Sequence, residues 1–222
     1  MLYLYHAKAG KTSLLLEGDA HRYIFKVRRH KAEETIYLRN LHDRLLHRYF
    51  ITHIDKKSVH LALQESVTHE IKASKYLHIA WCIVDPKSIE KVLPALNEMG
   101  VNKLSFIYCK RSQRSFKIDM GRFEKILRNS SQQSGRSEMM ELEIVSDLKG
   151  FLLTYPQTKM LNFSDNHFVS SLQSETMLIG CEGGFSEEEV ALFDAEHIMG
   201  FDTPLVLKSE TAVCAVASKV LL

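Results

Sequence analysis

The stretch Met177-Leu-Ile-Gly-Cys-Glu-Gly-Gly-Phe-Ser-Glu-Glu-Glu189 predicts a buried strand, a tight turn and a helix in direct succession. Three glycines mark the turn, and glycines between a strand and a helix let the backbone approach a ligand closely. The helix start carries the pattern of a capping box, in which Ser186 and Glu189 each bond the other's backbone amide. Taken alone, the stretch also fits an ordinary strand-to-helix turn.

A second stretch, Leu205-Val-Leu-Lys-Ser-Glu-Thr-Ala-Val-Cys-Ala-Val-Ala217, predicts another strand, a short polar turn and a helix of small residues. Together the two stretches resemble the C-terminal signature of the RsmE family of SPOUT-class RNA methyltransferases, which methylate N3 of a uridine in 16S ribosomal RNA. The family signature reads Ile-Gly-Pro-Glu-Gly-Gly-(Leu/Phe)-Ser-x-x-Glu, followed by Leu-Arg-x-Glu-Thr-Ala. The matching residues are Ile179, Gly180, Glu182, Gly183, Gly184, Phe185, Ser186 and Glu189, then Leu207, Ser209, Glu210, Thr211 and Ala212.

The composition of the 222 residues bounds the class of protein, because 45% of them are hydrophobic and the formal net charge is only +2. No apolar run reaches the length of about eighteen residues that a transmembrane helix needs. The N-terminal Met1-Leu-Tyr-Leu-Tyr-His predicts a first strand and lacks the features of a signal peptide. The cysteines show neither metal-ligand spacing nor a small disulfide framework, which favours a reducing cytoplasm; they are Cys82, Cys109, Cys181 and Cys214.

The charges are unevenly distributed along the chain. Up to Ser74 there are 13 Lys and Arg against 8 Asp and Glu, together with 8 of the 11 histidines, and from Lys75 the count is 16 against 19. A basic N-terminal part suits contact with a polyanion, although a solvated basic face is an equally good interpretation of charge alone.

Residues 1–70 predict a small β-barrel, because several short runs rich in β-branched and aromatic residues follow one another closely. A short helix is expected at Asp19–Arg29. The resemblance implies that this part is a PUA-like barrel for RNA recognition, with Arg29 at a position of the family's N-terminal segment. The predicted strands are Leu14–Glu17, Thr35–Arg39, Arg48–His53 and Val59–Glu65.

A polar boundary at 66–76 precedes a change of pattern. Leu77–Val84 predicts a strand covered on both faces, Asp85-Pro86 starts a helix that Gly100 ends, and Leu104–Cys109 predicts the next strand. A strand, a helix and a strand at this spacing form a βαβ unit, so residues 73–222 predict an α/β domain with a parallel sheet. The resemblance implies the SPOUT form of this fold, with a C-terminal trefoil knot. Further strands are predicted at Glu141–Val145 and Met160–Phe163, with a helix at Ser146–Tyr155 between them.

The segment Lys110–Arg136 is the main basic concentration, and it fits phosphate contacts or a solvated helix face. Its end, Gln132-Gln-Ser-Gly-Arg136, resembles the family's Glu-Gln-(Ser/Cys)-x-Arg, with Gln132 in place of glutamate. Arg136 could stabilise the negative charge that builds on uracil as N3 loses its proton. The RNA-contact candidates are Arg29, Lys110, Arg111, Arg114 and Arg136.

The resemblance implies S-adenosylmethionine as the cofactor, and this molecule brings its own electrophile, so no metal or nucleophilic residue is expected. Lys208 keeps the charge of the family's arginine but lacks its planar fork. Glu210 could accept a proton or hold the turn, and Cys181 in place of proline is interpreted as a packing variant. The catalytic candidates are Arg136, Lys208 and Glu210; the cofactor candidates are Leu178, Gly180, Glu182, Gly183, Gly184, Leu205, Leu207 and Thr211.

The function that the resemblance implies is methylation of N3 of a 16S ribosomal RNA uridine by a cytoplasmic homodimer, with naked RNA or the small subunit as substrate. One alternative is another SPOUT methyltransferase that acts on a ribose 2′-hydroxyl or a tRNA base. Another is a non-catalytic RNA-binding protein that retains the fold, which the departures at Gln132, Cys181 and Lys208 would favour. A nucleotide-binding module of another kind is the last alternative.

Overall fold

The computed structural model describes residues 3–24, 31, 33–168 and 176–222. The chain divides into two compact units, of which the first comprises Met1–Lys72 with Arg128–Met139 and the second Ala73–Leu127 with Met140–Leu222. The predicted domains, 1–70 and 73–222, differ from these units chiefly in the segment Arg128–Met139, which packs with the first unit. The functions predicted for the two domains, which are RNA recognition for 1–70 and methyl transfer for 73–222, remain predictions.

The first unit contains a five-stranded mixed sheet in the order β1-β3-β4-β5-β2. Strand β1 runs parallel to β3, and the other pairings are antiparallel. One short helix, α1, follows β2. The elements are β1 Leu4–Tyr5, β2 Ser13–Glu17, α1 Gly18–Arg22, β3 Thr35–Arg39, β4 Leu45–Ile54 and β5 Ser58–Thr68.

Alternation of apolar and polar residues builds the core of the first unit. In β2, for example, Leu14 and Leu16 are buried between exposed neighbours. The pairing of β4 with β5 shifts register in two places, and such irregularities bend strands, so the sheet curls around its buried face. All four strands predicted between residues 14 and 65 are confirmed. The predicted helix Asp19–Arg29 is confirmed at Asp19–Arg22, Tyr23 and Ile24 continue it as a π-helical turn, and residues 25–30 lie outside the described part of the chain.

The second unit is built on a six-stranded sheet in the order β11-β9-β10-β6-β7-β8, and every strand pair in it is parallel. This confirms the prediction of an α/β fold with a parallel sheet. The strands are β6 His78–Cys82, β7 Lys103–Ile107, β8 Glu141–Val145, β9 Lys159–Leu161, β10 Thr176–Ile179 and β11 Ile198–Met199. The helices are α2 Pro86–Met99, α3 Met120–Ser134, α4 Leu148–Thr154, α5 Glu187–Val190 and α6 Ser209–Leu221, and residues 120–127 of α3 belong to this unit.

Helix α2 forms as its sequence predicts. The Asp85 carboxylate accepts a hydrogen bond from the Lys87 amide, Pro86 occupies the first helical position, and Gly100 ends the helix in a left-handed conformation with φ of 101°. Ile89 and Leu93 lie on the buried face.

None of the helices in the described ranges combines the length and apolar character that a bilayer crossing requires.

The strand predicted at Leu205 is wrong. Residues 205–207 form no strand, and the side chains of Leu205 and Val206 are 71% and 76% exposed. The edge strand is instead β11, which pairs with β9. Residues 205–207 line a cavity, and an apolar cavity wall accounts for the run that the sequence pattern assigned to a strand.

One disulfide joins Cys82, at the end of β6, to Cys109, which follows β7. These strands are neighbours, and the two Cα atoms lie 5.6 Å apart, within the usual range for a disulfide. The expectation of no disulfide is therefore corrected for this pair. A separation of 27 residues gave no sign of it, because the contact is set by strand pairing.

A buried polar network lies on β6, β7 and β8. Ser105 donates its hydroxyl to Glu143 at 2.8 Å, so its oxygen is left to accept from His78 Nε2 at 2.7 Å, which assigns the proton to that nitrogen of a neutral ring. Lys103 forms an ion pair with Glu143 at 2.9 Å and donates to the Tyr155 hydroxyl. Burial, aided by the charge of Lys103 and opposed by Glu143, lowers the pKa of His78 to about 4.

This network predicts a loss of stability in mild acid. The unfolded chain binds a proton on His78 near pH 6.5 and the folded chain only near pH 4, so stability falls as pH decreases through this window. A change from pH 7.5 to pH 5 is expected to cost about 2 kcal/mol through this group.

Urea unfolding at both pH values, on the wild type and on His78→Gln, measures this term. The variant is expected to be less stable at pH 7.5 and to have a flatter pH dependence. An equal pH dependence in both proteins would contradict the assignment to His78.

Candidate functional site

A cavity of about 710 Å³ opens at the carboxyl ends of β9, β10 and β11. Its lining comes from three segments, within residues 161–167, 179–185 and 200–212, and each begins where one of these strands ends. Parallel strands place their carboxyl ends at one edge of the sheet, where ligands of open α/β sheets commonly bind. All of the lining residues belong to the second unit.

The glycine turn after β10 forms the second lining segment. A Cβ atom at Gly180 would lie 3.2 Å from the ring of Phe185, so a larger residue would displace that ring. The predicted capping box is confirmed, since the Ser186 hydroxyl accepts from the Glu189 amide and the Glu189 carboxylate accepts from the Ser186 amide at 2.8 Å. The turn is therefore held at the start of α5 by paired hydrogen bonds.

Two residues after β7 bind this same turn. The Lys110 amide donates to Oε1 of Glu189 at 2.7 Å, while Oε2 of Glu189 serves the capping box. The Arg111 guanidinium donates to the Gly183 carbonyl at 2.6 Å. Arg111, predicted to contact RNA, thus also supports the wall of the cavity.

Glu210, at the start of α6, has an ionised carboxylate with one buried oxygen that lacks a hydrogen-bond partner among the described residues. Hydrogen bonds from Ser88 and from its own backbone amide hold the pKa of its carboxyl group below the usual value, so the group is ionised at neutral pH. Its Oε2 atom is buried and has no hydrogen-bond partner among the residues that the structure describes. A buried charged oxygen of this kind favours a donor N–H or O–H on a ligand.

The lining segment 161–167 was missed from sequence. Phe163 is 79% exposed there, and Asn166 binds the carbonyls of Glu196 and Ile198, each at 3.1 Å. A Cβ atom at Gly200 would lie 2.3 Å from the Ser164 carbonyl, so only glycine fits where the two segments meet. The sequence offered one signal, because the segment overlaps the end of the strand predicted at Met160–Phe163, which the structure ends at Leu161.

The predicted site residues fall into two groups. Leu178 is buried in β10, Gly183 contacts Arg111 and Thr211 is exposed on α6, so these three are outside the lining. The roles of all of them remain predictions. The predicted residues that line the cavity are Gly180, Glu182, Gly184, Leu205, Leu207, Lys208 and Glu210.

Arg136 lies in the first unit and is buried, with 8% exposure. Burial lowers the pKa of its guanidinium to about 10, and the nearby Glu138 and Tyr3 oppose this shift. Its carbonyl accepts from the Tyr3 hydroxyl at 2.7 Å, and the nearby Gln132 side chain accepts from the Tyr5 amide at 2.7 Å. This part of the family motif therefore anchors the N-terminal strand of the first unit.

The remaining predicted RNA contacts are only partly described. Arg29 lies outside the described residues, while Arg114 and Lys110 are exposed. Lys110 also forms a surface ion pair with Glu188 at 2.8 Å.

Within the described part of the chain no group of three or more His, Cys, Asp or Glu residues is arranged to hold a metal ion, and the expectation of metal-free chemistry stays a prediction.

Comparisons with known proteins agree with this architecture. The family model described as "RNA methyltransferase domain" matches residues 72–221. The ribosomal RNA small subunit methyltransferase E proteins of two Helicobacter pylori strains are each 40% identical over 222 residues, which cover 98% of this chain and 98% of the relative.

A solved structure shares the fold. The crystal structure of a ribosomal RNA small subunit methyltransferase E from Neisseria gonorrhoeae, bound to S-adenosyl methionine, superimposes with a TM-score of 0.80 at 16% identity, covering 98% of this chain and 95% of that one. The 40% identity to the Helicobacter pylori proteins and the match to the family model show that the chain belongs to the ribosomal RNA small subunit methyltransferase E (RsmE) family of RNA methyltransferases.

Proposed function

We propose that this protein transfers a methyl group from S-adenosylmethionine to N3 of a uridine in 16S ribosomal RNA of the small subunit. The observation that carries the proposal is the convergence of the two signature stretches on one cavity, in a chain 40% identical to small subunit methyltransferases. The coarser part, an RNA methyltransferase, follows from the family. The choice of uridine N3 rests on the resemblance of residues 179–189 and 207–212.

The cavity fits this cofactor in size and chemistry. A volume of about 710 Å³ lies within the range of small-molecule pockets. The exposed apolar side chains of Phe163, Leu205 and Val206 offer surface to an adenine, and Glu210, whose buried Oε2 has no partner among the described residues, can accept from an amine or a hydroxyl. When bound, the cofactor supplies an electrophilic methyl group on a sulfonium sulfur.

The residues of the chain would orient the acceptor and manage its charge. Lys208 is exposed at the cavity, where its ammonium group can stabilise the negative charge that uracil acquires on losing the N3 proton. Glu210 is ionised and supplies an acceptor. Arg136 is retained as a further candidate for stabilising the anion, and its low exposure and lowered pKa mark a guanidinium that burial has partly removed from water.

The finer features of the fold belong to the same proposal. The all-parallel sheet, with three successive strands ending at one cavity, supports the SPOUT form with a C-terminal trefoil knot. The curled mixed sheet of the first unit supports a PUA-like barrel that meets RNA. We further propose a homodimer acting in the cytoplasm during ribosome biogenesis, with naked 16S RNA or the small subunit as substrate.

The reaction itself is tested by a transfer assay with labelled S-adenosylmethionine. Unmethylated small subunits and naked 16S RNA serve as parallel substrates, and mass spectrometry identifies the nucleoside. The expected product is 3-methyluridine. A ribose-methylated product would indicate a different SPOUT specificity, and cofactor binding without transfer to either substrate would contradict the proposed activity.

Replacing Lys208 tests the charge beside the acceptor. Lys208→Ala is expected to lower kcat about 10- to 100-fold, because a positive charge near the developing anion is lost from a partly solvated site. Lys208→Arg keeps the charge and restores the family residue, so it should retain activity. Lys87→Ala, at an exposed position on α2, is the matched control. Unchanged kcat in Lys208→Ala would remove this residue from the mechanism.

Replacing Glu210 tests the open acceptor. Glu210→Gln keeps the side-chain size but removes the charge, so the dissociation constant for S-adenosylmethionine should rise about tenfold or more. Isothermal titration calorimetry measures this constant, with the exposed Glu141→Gln on β8 as the control. Equal affinity in Glu210→Gln and wild type would leave Glu210 with a purely structural role.

A further inference from the structure

The hydroxyl of Ser209 connects the two signature stretches. Its Oγ donates to the Gly180 carbonyl at 2.5 Å and accepts from the Trp81 indole N–H at 2.7 Å. A hydroxyl has one proton to donate and lone pairs to accept, so this residue satisfies both partners at once. Ser209 is itself 6% exposed, so water has little access to replace either bond.

The Trp81 anchor lies on the central part of the sheet. Trp81 is fully buried in β6, and it stands opposite Ile179 of β10 in the parallel register. Its indole N–H therefore has a position fixed by strand pairing and core packing. Ser209, the first residue of α6, bonds both this N–H and the Gly180 carbonyl. The fixed position of the indole N–H therefore restricts the positions of the start of α6 and of Gly180.

Two of the residues in this link, Gly180 and Ser209, line the cavity. Gly180 begins the glycine turn, and Ser209 stands between Lys208 and Glu210. Helix α6 is also held by buried apolar side chains, Val213 and Val216 among them. Apolar packing therefore contributes to docking of the helix, while the Ser209 hydroxyl links the start of the helix to the glycine turn.

We propose that Ser209 is a positioning residue for the cofactor site, holding the glycine turn and the start of α6 at the separation that S-adenosylmethionine requires. The inference rests on the proposed function in assigning this ligand. Without the hydroxyl, the Gly180 carbonyl and the Trp81 N–H each lose a partner. The glycine turn then samples more conformations, and cofactor binding has to restrict them at a cost in affinity.

Variants of Ser209 and Trp81 provide the test. Ser209→Ala is expected to raise the dissociation constant and the KM for S-adenosylmethionine about tenfold, with the KM for RNA little changed. Ser209→Thr keeps the hydroxyl and should restore affinity to near the wild-type value. Trp81→Phe removes the indole donor together with part of a fully buried ring, and a smaller loss of affinity than in Ser209→Ala is expected. Ser218→Ala, exposed on the same helix, is the control.

Hydrogen exchange of the free protein separates this inference from the proposed function. Ser209→Ala should speed amide exchange in residues 180–186 and 205–208 more than in β6, and the loss of two buried hydrogen bonds should lower the thermal midpoint by a few degrees. Wild-type affinity and exchange in Ser209→Ala, or an equal loss in Ser209→Thr, would overturn the positioning role.

If Ser209→Ala fails to fold, Trp81→Phe carries the same test, and exchange rates equal to wild type in that variant would overturn the link. If the wild type binds no S-adenosylmethionine, the proposed cofactor role of the cavity is wrong. The exchange data then still decide whether the hydroxyl holds the two loops together.

Discussion

The position of β10, hydrogen-bonded to β6 on one side and to β9 on the other, is the constraint on which the rest of the second unit depends. From β6 the chain builds outward through β7 and β8, then crosses to the other side for β9, β10 and β11. The side on which successive strands join the sheet therefore changes between β6 and β10. Parallel pairing on this side places three strand ends at one edge, and the cavity lies there because each strand continues into a loop at that edge.

Loops at such an edge need partners for their backbone groups, since few regular hydrogen bonds are available there. One buried carboxylate supplies several, because Glu189 accepts from the amides of Ser186 and Lys110. Arg111 then binds the carbonyl of Gly183, and Ser209 binds that of Gly180. The glycine turn is therefore held from three directions while its lack of side chains leaves room for a ligand.

The first unit contains a different kind of constraint, which is the burial of positive charge. Arg39 is almost fully buried, donates to the carbonyls of Arg44 and His69, and stacks its guanidinium over the ring of Tyr3 at 5.3 Å. Burial lowers the pKa of both Arg39 and Arg136. Carbonyl oxygens and an aromatic face thus take over part of the solvation that water gives an exposed guanidinium.

Local patterns in the sequence determined the strands from β1 to β10, the ends of α2 and the capping box at Ser186, because these depend on neighbouring residues. They also carried the two signature stretches that identify the family. Only the tertiary structure decided that residues 205–207 border a cavity instead of forming a strand, and that Cys82 bonds Cys109.

Tertiary structure alone likewise placed Arg136 and Gln132 against the N-terminal strand and brought Trp81 to Ser209, across 128 residues of sequence. The physical reason is the range of the interactions. Hydrophobic periodicity and capping act over a few residues, whereas these contacts depend on strand order and on how the sheet brings distant segments together.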